Sequence, residues 1–286
     1  MKKSKLAKVL TVSLAALMVF GLASCGGGSG KVSDKDITVI SREEGSGTRD
    51  AFTELTGVLQ DDVDKTVDTA EISNSTSVVT QSVAGNDAAI GYISLGSLDD
   101  TVKAVKVDGV EATVDNIKSG DYKIQRPFNI VTKGEVKELP ADFIKFIMSK
   151  DGQKIIEDEG YISVNDNAEA YKASGLKGSI TLAGSTSVSP VMEVLADKYK
   201  ELNSGVTIEI QQTGSGAGIQ STTEGVCDIG MASRELKDEE TSQGLKSEEI
   251  ALDGIAVIVN KDNGVEDLSM DQIMKIFTGE ITNWAD

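Results

Sequence analysis

One local pattern occurs three times in this chain: a short β-branched run leads into a turn of glycine and hydroxyl residues, and a helical pattern follows. The turns are Gly45-Ser46-Gly47-Thr48, Gly184-Ser185-Thr186-Ser187 and Gly214-Ser215-Gly216-Ala217-Gly218. Strand, turn and helix in repeated succession restrict the chain to an α/β architecture. Residues 37–41, 88–95, 129–132, 179–183, 206–211, 228–232 and 255–259 read as strands, and 49–55, 190–202 and 270–277 as helices. Apolar spacing over 141–159 predicts a further helix, with Asp151-Gly152 as its internal break. The acidic patches at 61–64 and 237–240 read as solvated faces or helix starts.

The turns have a chemical meaning beyond their geometry. The first amides of a helix have no intrahelical acceptor and sit at the positive end of its dipole. Glycine allows the backbone to close on a ligand, and hydroxyls add donors without charge. Such elements suit a tetrahedral oxyanion. One copy alone reads more readily as ordinary helix capping by Ser and Thr; three copies weigh toward binding. None is a nucleotide loop: no third glycine completes a dinucleotide fingerprint, and no Gly-Lys-Ser/Thr ending is present. Arg42 ends the first strand three residues before Gly45, where a guanidinium can fork onto two oxygens of an anion. The alternative for Arg42 is a surface pair with Glu43 or Glu44, and Glu44 is also placed to orient it from behind.

The rest of the composition excludes other classes. There is no histidine, which removes Ser–His nucleophile pairs and His-ligated metals and leaves an enzyme without its commonest acid–base device; neither an enzyme nor a cofactor is the expectation. A basic start, an apolar run over 9–22 and Leu22-Ala23-Ser24-Cys25 resemble an export signal ending in a bacterial lipobox. In that reading residues 1–24 are removed, Cys25 is diacylated, and 25–35 form a flexible tether on the outer face of the cell membrane. Cys227 is then the only thiol left and reads as an inert core residue. Residues 1–24 carry four lysines and no acid, so the remainder is four charges more negative than the whole chain's −18. That field repels nucleic acid, and any anion site must work through local dipoles.

At this level of detail the chain resembles a known family. The run 41–52 (Ser-Arg-Glu-Glu-Gly-Ser-Gly-Thr-Arg-Asp-Ala-Phe) is similar to the signature of the phosphate-binding lipoproteins of bacterial phosphate ABC transporters. So are the run 184–191 (Gly-Ser-Thr-Ser-Val-Ser-Pro-Val), the turn at 213–216 and the strand Asp228-Ile229-Gly230-Met231-Ala232-Ser233-Arg234. The resemblance implies a two-lobe periplasmic-binding-protein fold of type II with a hinge of two crossover strands. It also implies a phosphate held by Arg42, Ser46, Gly47, Thr48, Thr186, Ser187 and Ser215, and delivery by a monomer to membrane permease subunits.

Two departures stand out. Many members carry a buried Asp that accepts the phosphate's proton and so rejects sulfate; here Ser233-Arg234 stands there. Ser233 is therefore an expected ligand, Arg234 a candidate second cation, and sulfate, molybdate or tungstate an alternative solute. The order is also rearranged, because the arginine element precedes the Gly-Ser-Thr-Ser turn, so the chain reads as circularly permuted through the linker at 165–177. The resemblance then implies one lobe from 127–256 and another from 36–126 with 257–286. A phosphatase, for which bound phosphate would be a product, and an added role as a surface adhesin or signalling partner are the readings from other classes.

Overall fold

The computed structural model describes residues 35–285. The export signal, Cys25 and all but the last residue of the tether lie outside the described residues.

The described chain runs β1 (Thr38–Arg42), α1 (Gly47–Thr56), β2 (Leu59–Gln60), β3 (Val63–Asp64), β4 (Glu71–Ser73), α2 (Thr76–Ala84), β5 (Ala89–Ser94), β6 (Val102–Ala104) and β7 (Lys106–Val107). It continues through α3 (Val114–Lys118), β8 (Gln125–Lys133), α4 (Glu138–Ile147), α5 (Lys150–Asp158), β9 (Ile162–Ser163), β10 (Gly178–Gly184), α6 (Ser189–Leu202) and β11 (Val206–Gln212). The last elements are α7 (Ser215–Glu224), β12 (Ile229–Ala232), α8 (Asp238–Thr241), β13 (Leu245–Asn260), β14 (Asp267–Leu268) and α9 (Met270–Phe277).

Eight strands share one path in the order β11-β10-β12-β8-β13-β5-β1-β4; β6 and β9 pair with β13 beside it, and β14-β7 and β2-β3 are separate pairs. Its centre is β13, 16 residues long. From Leu245 to Gly254 it pairs antiparallel with β8, and from Ile255 to Val259 with β5. One strand thus serves two sheets, and each sheet has its own core. The first core gathers Phe128, Phe143, Phe146, Leu182, Leu195, Tyr199 and their neighbours. The second gathers Phe52, Tyr92, Tyr122, Val257, Ile273 and Phe277, with Phe52 and Tyr92 stacked at 3.9 Å between ring centroids. This is the two-lobe α/β arrangement with two crossover strands, β8 and β13, that the sequence led us to expect.

Most of the elements read from the sequence fall where it put them, although short ones such as β4 and α2 are not among them. Two differ for physical reasons. The helix over 141–159 is two helices, and the break is at Met148–Ser149 rather than Asp151-Gly152. Ser149 caps α5 through Gly152 N–H, and a side chain at Gly152 would strike the carbonyl of Phe146, so this glycine joins two helices at close range. The strand at 255–259 is only the second half of β13; its first half is exposed over Lys246 to Glu249, which hides it from an apolar-run criterion.

The ends of the described chain are neighbours: Ile37 N–H donates to Thr282 O at 2.8 Å and Trp284 N–H to Lys35 O at 3.1 Å. The linker at 165–177 is tied down by Asp142, whose Oδ2 accepts from the hydroxyls of Tyr171, Ser174 and Tyr199. Burial alone would raise the Asp142 carboxyl; the three donors hold it below the usual carboxylate range. Adjacent ends and a docked linker are what a permuted order requires.

Where the two crossover strands run side by side, Arg126 of β8 lies opposite Asp253 of β13. Arg126 Nε and Nη2 donate to Asp253 Oδ2 at 3.3 and 3.2 Å, and Ser94 Oγ donates to Oδ1 at 2.9 Å. Both side chains are fully buried. Burial pushes the Asp253 carboxyl up to about 6, although Arg126 and Ser94 pull it down. Removing one partner of such a pair leaves an uncompensated buried charge. Arg126→Met should therefore cost about 3–5 kcal/mol in urea unfolding near neutral pH. The folded state of that variant binds a proton at Asp253 before the unfolded chain does, so its deficit should shrink as pH falls from about 8 to about 5. A deficit that is small, or that grows on acidification, would contradict this account.

Candidate functional site

Four helices begin at the seam between the lobes. The Ser46 hydroxyl caps α1 by accepting from Arg49 N–H, and Ser75 caps α2 by accepting from Val78 N–H. Before α6, the Ser185 Oγ accepts from Ser187 N–H and Val188 N–H, which folds the Gly-Ser-Thr-Ser turn on itself. Gly184 allows this turn to start: it has φ +145°, and a Cβ there would lie 2.1 Å from Met231 O on the neighbouring strand. The fourth helix, α7, opens at Ser215, and its Gly216 N–H donates across the seam to Gly45 O at 2.9 Å.

The hydroxyls at these starts meet. Thr48 Oγ1 and Ser187 Oγ are 2.9 Å apart, Thr76 Oγ1 and Ser187 Oγ 3.0 Å, and Thr76 Oγ1 and Thr186 Oγ1 3.3 Å. On the other side Ser233 Oγ lies 2.9 Å from Ser185 Oγ and 3.3 Å from Ser215 Oγ. Gly47 closes the gap between the two groups: a Cβ there would lie 2.4 Å from Ser215 Oγ and 2.9 Å from Ser233 Oγ. All these side chains are buried. Beside Thr76 and Thr186 opens a cavity of about 590 Å³ lined by Ser75, Gln81, Ser97, Thr101 and Gln212.

Arg42 is the only cationic side chain hydrogen-bonded to this hydroxyl cluster among the described residues. It is 2% exposed, so the surface alternative is excluded. Its Nη2 donates to Thr186 Oγ1 at 3.1 Å and its Nη1 points to Thr76 Oγ1 at 3.4 Å. The carboxylate that orients it is Glu43, not Glu44: Nε and Nη2 each donate to a Glu43 oxygen at 2.8 Å. A forked pair of this kind fixes the plane of the guanidinium.

The structure thus brings together Arg42, Gly47, Thr48, Thr186, Ser187, Ser215 and Ser233, whereas the Ser46 hydroxyl beside them accepts from Arg49 N–H within its own helix start. It adds two that sequence reasoning missed, Thr76 and Ser185. Thr76 follows Asn74-Ser75 at the start of α2, a fourth copy of the device without glycine, and that hydroxyl-rich helix start was the available signal. Arg234 does not join the cluster. Its Nη1 and Nη2 donate to both Glu240 oxygens at 2.8 Å, and its Nε donates to Asp50 Oδ2 at 2.9 Å. Cys227 lies apart from the site, buried against Thr222, with its thiol pushed up by burial. Among the described residues no group of three His, Cys, Asp or Glu side chains is placed to hold a metal ion.

Two lobes with a seam lined by helix starts, hydroxyls and one oriented guanidinium define a binding protein for a small anionic solute. Comparisons agree. The profile of the PBP superfamily domain matches residues 28–151 and 169–286. The phosphate-binding protein PstS 2 of Streptococcus agalactiae serotype V is 52% identical, over 100% of this chain and 99% of its own. The protein of that name from Streptococcus pneumoniae serotype 4 is 48% identical, over 98% of both. A crystal structure of a phosphate-binding protein of a phosphate ABC transporter from Streptococcus pneumoniae TIGR4 has 49% identity and a TM-score of 0.71, covering 87% of this chain and 98% of that one. The chain belongs to this family of PstS phosphate-binding proteins within the PBP superfamily.

The contact at Gly47 gives a direct test. Gly47→Ala should wedge α1 away from Ser215 and Ser233 and weaken anion binding about tenfold or more, with the unfolding midpoint of the ligand-free protein nearly unchanged. Unaltered affinity by calorimetry would show that α1 does not close on α7.

Proposed function

We propose that this protein captures inorganic phosphate outside the cytoplasm and delivers it to the membrane subunits of an ABC importer. The observation that carries the reading is the junction of Arg42, oriented by Glu43, with the hydroxyls of Thr76 and Thr186. The two streptococcal phosphate-binding proteins that this chain matches over nearly their whole length support the same solute. Capture needs no bond to be made or broken: oriented amides, hydroxyls and the guanidinium replace the water around the anion, and the lobes close because contacts from both exist only when the solute bridges them. Residues 127–256 form one moving body in this reading, and 36–126 with 257–286 the other. Diacylation at Cys25 and the Gly/Ser tether would hold a monomer close to its permease.

Calorimetric titration of refolded, phosphate-free protein should show one tight site. Arg42→Ala should weaken it about 30–100-fold, as expected when a charged hydrogen-bond donor is removed from a buried site. An unchanged affinity would remove Arg42 from the binding set.

One observation favours a second reading, another tetrahedral oxyanion. Ser233 sits fully buried in the cluster, and Glu43 already accepts two bonds from Arg42. The hydroxyls can donate to a fully ionised anion without charge repulsion. Competition between phosphate and sulfate from about pH 5 to about pH 9 separates the readings. Phosphate specificity requires sulfate to fail at equal concentration throughout, and sulfate displacing phosphate at low pH would favour the broader solute class.

A further inference from the structure

We infer that Asp50 and Arg234 set the residence time of the bound anion without touching it, as an ion-pair latch between the lobes. The inference rests on the proposed anion capture and concerns how the closed state is held.

Arg234 follows Ser233 directly at the end of β12, and Asp50 lies in the first turn of α1, two residues after Thr48. The pair therefore joins the two backbone segments that carry opposite walls of the site. Its bonds are unequal in a telling way. Three of them stay on the β12 side: Arg234 Nη1 and Nη2 to the Glu240 carboxylate, and Nη1 to Glu235 O, each at 2.8 Å. Only the Nε bond to Asp50 Oδ2, at 2.9 Å, crosses the seam.

Glu240 is held in turn by Lys237 N–H at 2.8 Å, at the start of α8. The Arg234 guanidinium is therefore fixed by its own side before the lobes meet, and little side-chain entropy is lost when Asp50 docks on it. The Arg234 side chain is 9% exposed and that of Asp50 29%, so the bond is partly shielded from water. Lys237 Nζ stands 3.9 Å from the same Asp50 oxygen.

Asp50 is a carboxylate close to an anion site, which by itself opposes binding. On closure Arg234 and Lys237 neutralise it, so the penalty falls away in the state that holds the solute. A contact made only in the closed state raises affinity by favouring that state, and its loss appears in the dissociation rate. In wild type that rate should also rise with salt, because the pair is only partly shielded.

The test is stopped-flow phosphate binding and release with the full chain. Asp50→Asn should raise the dissociation rate about fivefold and leave the association rate within about twofold. Asp50→Glu should restore most of the loss. In Asp50→Asn the salt dependence of release should flatten, and adding Arg234→Gln should change the rate little further. The unfolding midpoint of phosphate-free Asp50→Asn should match wild type, which separates a latch from a general loss of stability. The inference is overturned if Asp50→Asn releases phosphate at the wild-type rate. It is also overturned if Arg234→Gln loses binding about 100-fold while Asp50→Asn does not, since that makes Arg234 a direct ligand. Failure of phosphate to bind the wild-type protein would instead count against the proposed function.

Discussion

A guanidinium buried at a seam, with its charge shared between a carboxylate and two threonine hydroxyls, is the contact on which the rest of this structure turns. Arg42 cannot be buried alone, because an isolated cation in a low-dielectric interior is strongly unfavourable. Glu43 makes its burial possible and fixes its orientation. What remains is a planar donor set facing Thr76 on its own side and the Thr186 hydroxyl from the other lobe. The protein is acidic as a whole, so the attraction for an anion is local: helix starts, hydroxyls and one cation arranged before the solute arrives.

The fold serves this arrangement through one strand. Because β13 runs through both sheets, the lobes are joined by continuous backbone and by the buried Arg126–Asp253 pair beside it. Arg126 also donates to the carbonyl of Ser233 at 3.2 Å, so the crossover and the cleft wall share a residue. Across the seam run the hydroxyl contacts, the bond from Arg42 to Thr186, Gly216 on Gly45, and the Arg234–Asp50 bond.

Much of this was legible from residues alone because its causes are local. Glycine and hydroxyl turns are demanded by sharp strand-to-helix transitions, so Thr48, Ser187 and Ser215 announce themselves. Thr76 did not, since its turn lacks glycine and the strand before it has only three residues, one of them the exposed Ile72. Choosing Glu43 over Glu44 depends on how the end of β1 twists, which adjacent identical residues do not reveal. Arg234 was ambiguous for a different reason: its partners are six and 184 residues away, and only the tertiary arrangement brings Asp50 to it. The first half of β13 was hidden by its exposed, charged face, since its pairing with β8 is fixed by backbone hydrogen bonds and not by apolar side chains.

The central claim is that neutral donors and one oriented arginine grip a negative ion within a strongly acidic body. A crystal structure of the phosphate-bound protein tests it most directly. The account predicts the anion between the lobes, its oxygens within hydrogen-bond distance of Arg42, Thr48, Thr186 and Ser215, with no cation interposed. Phosphate found outside this seam, or held there through a bound metal ion, would contradict it.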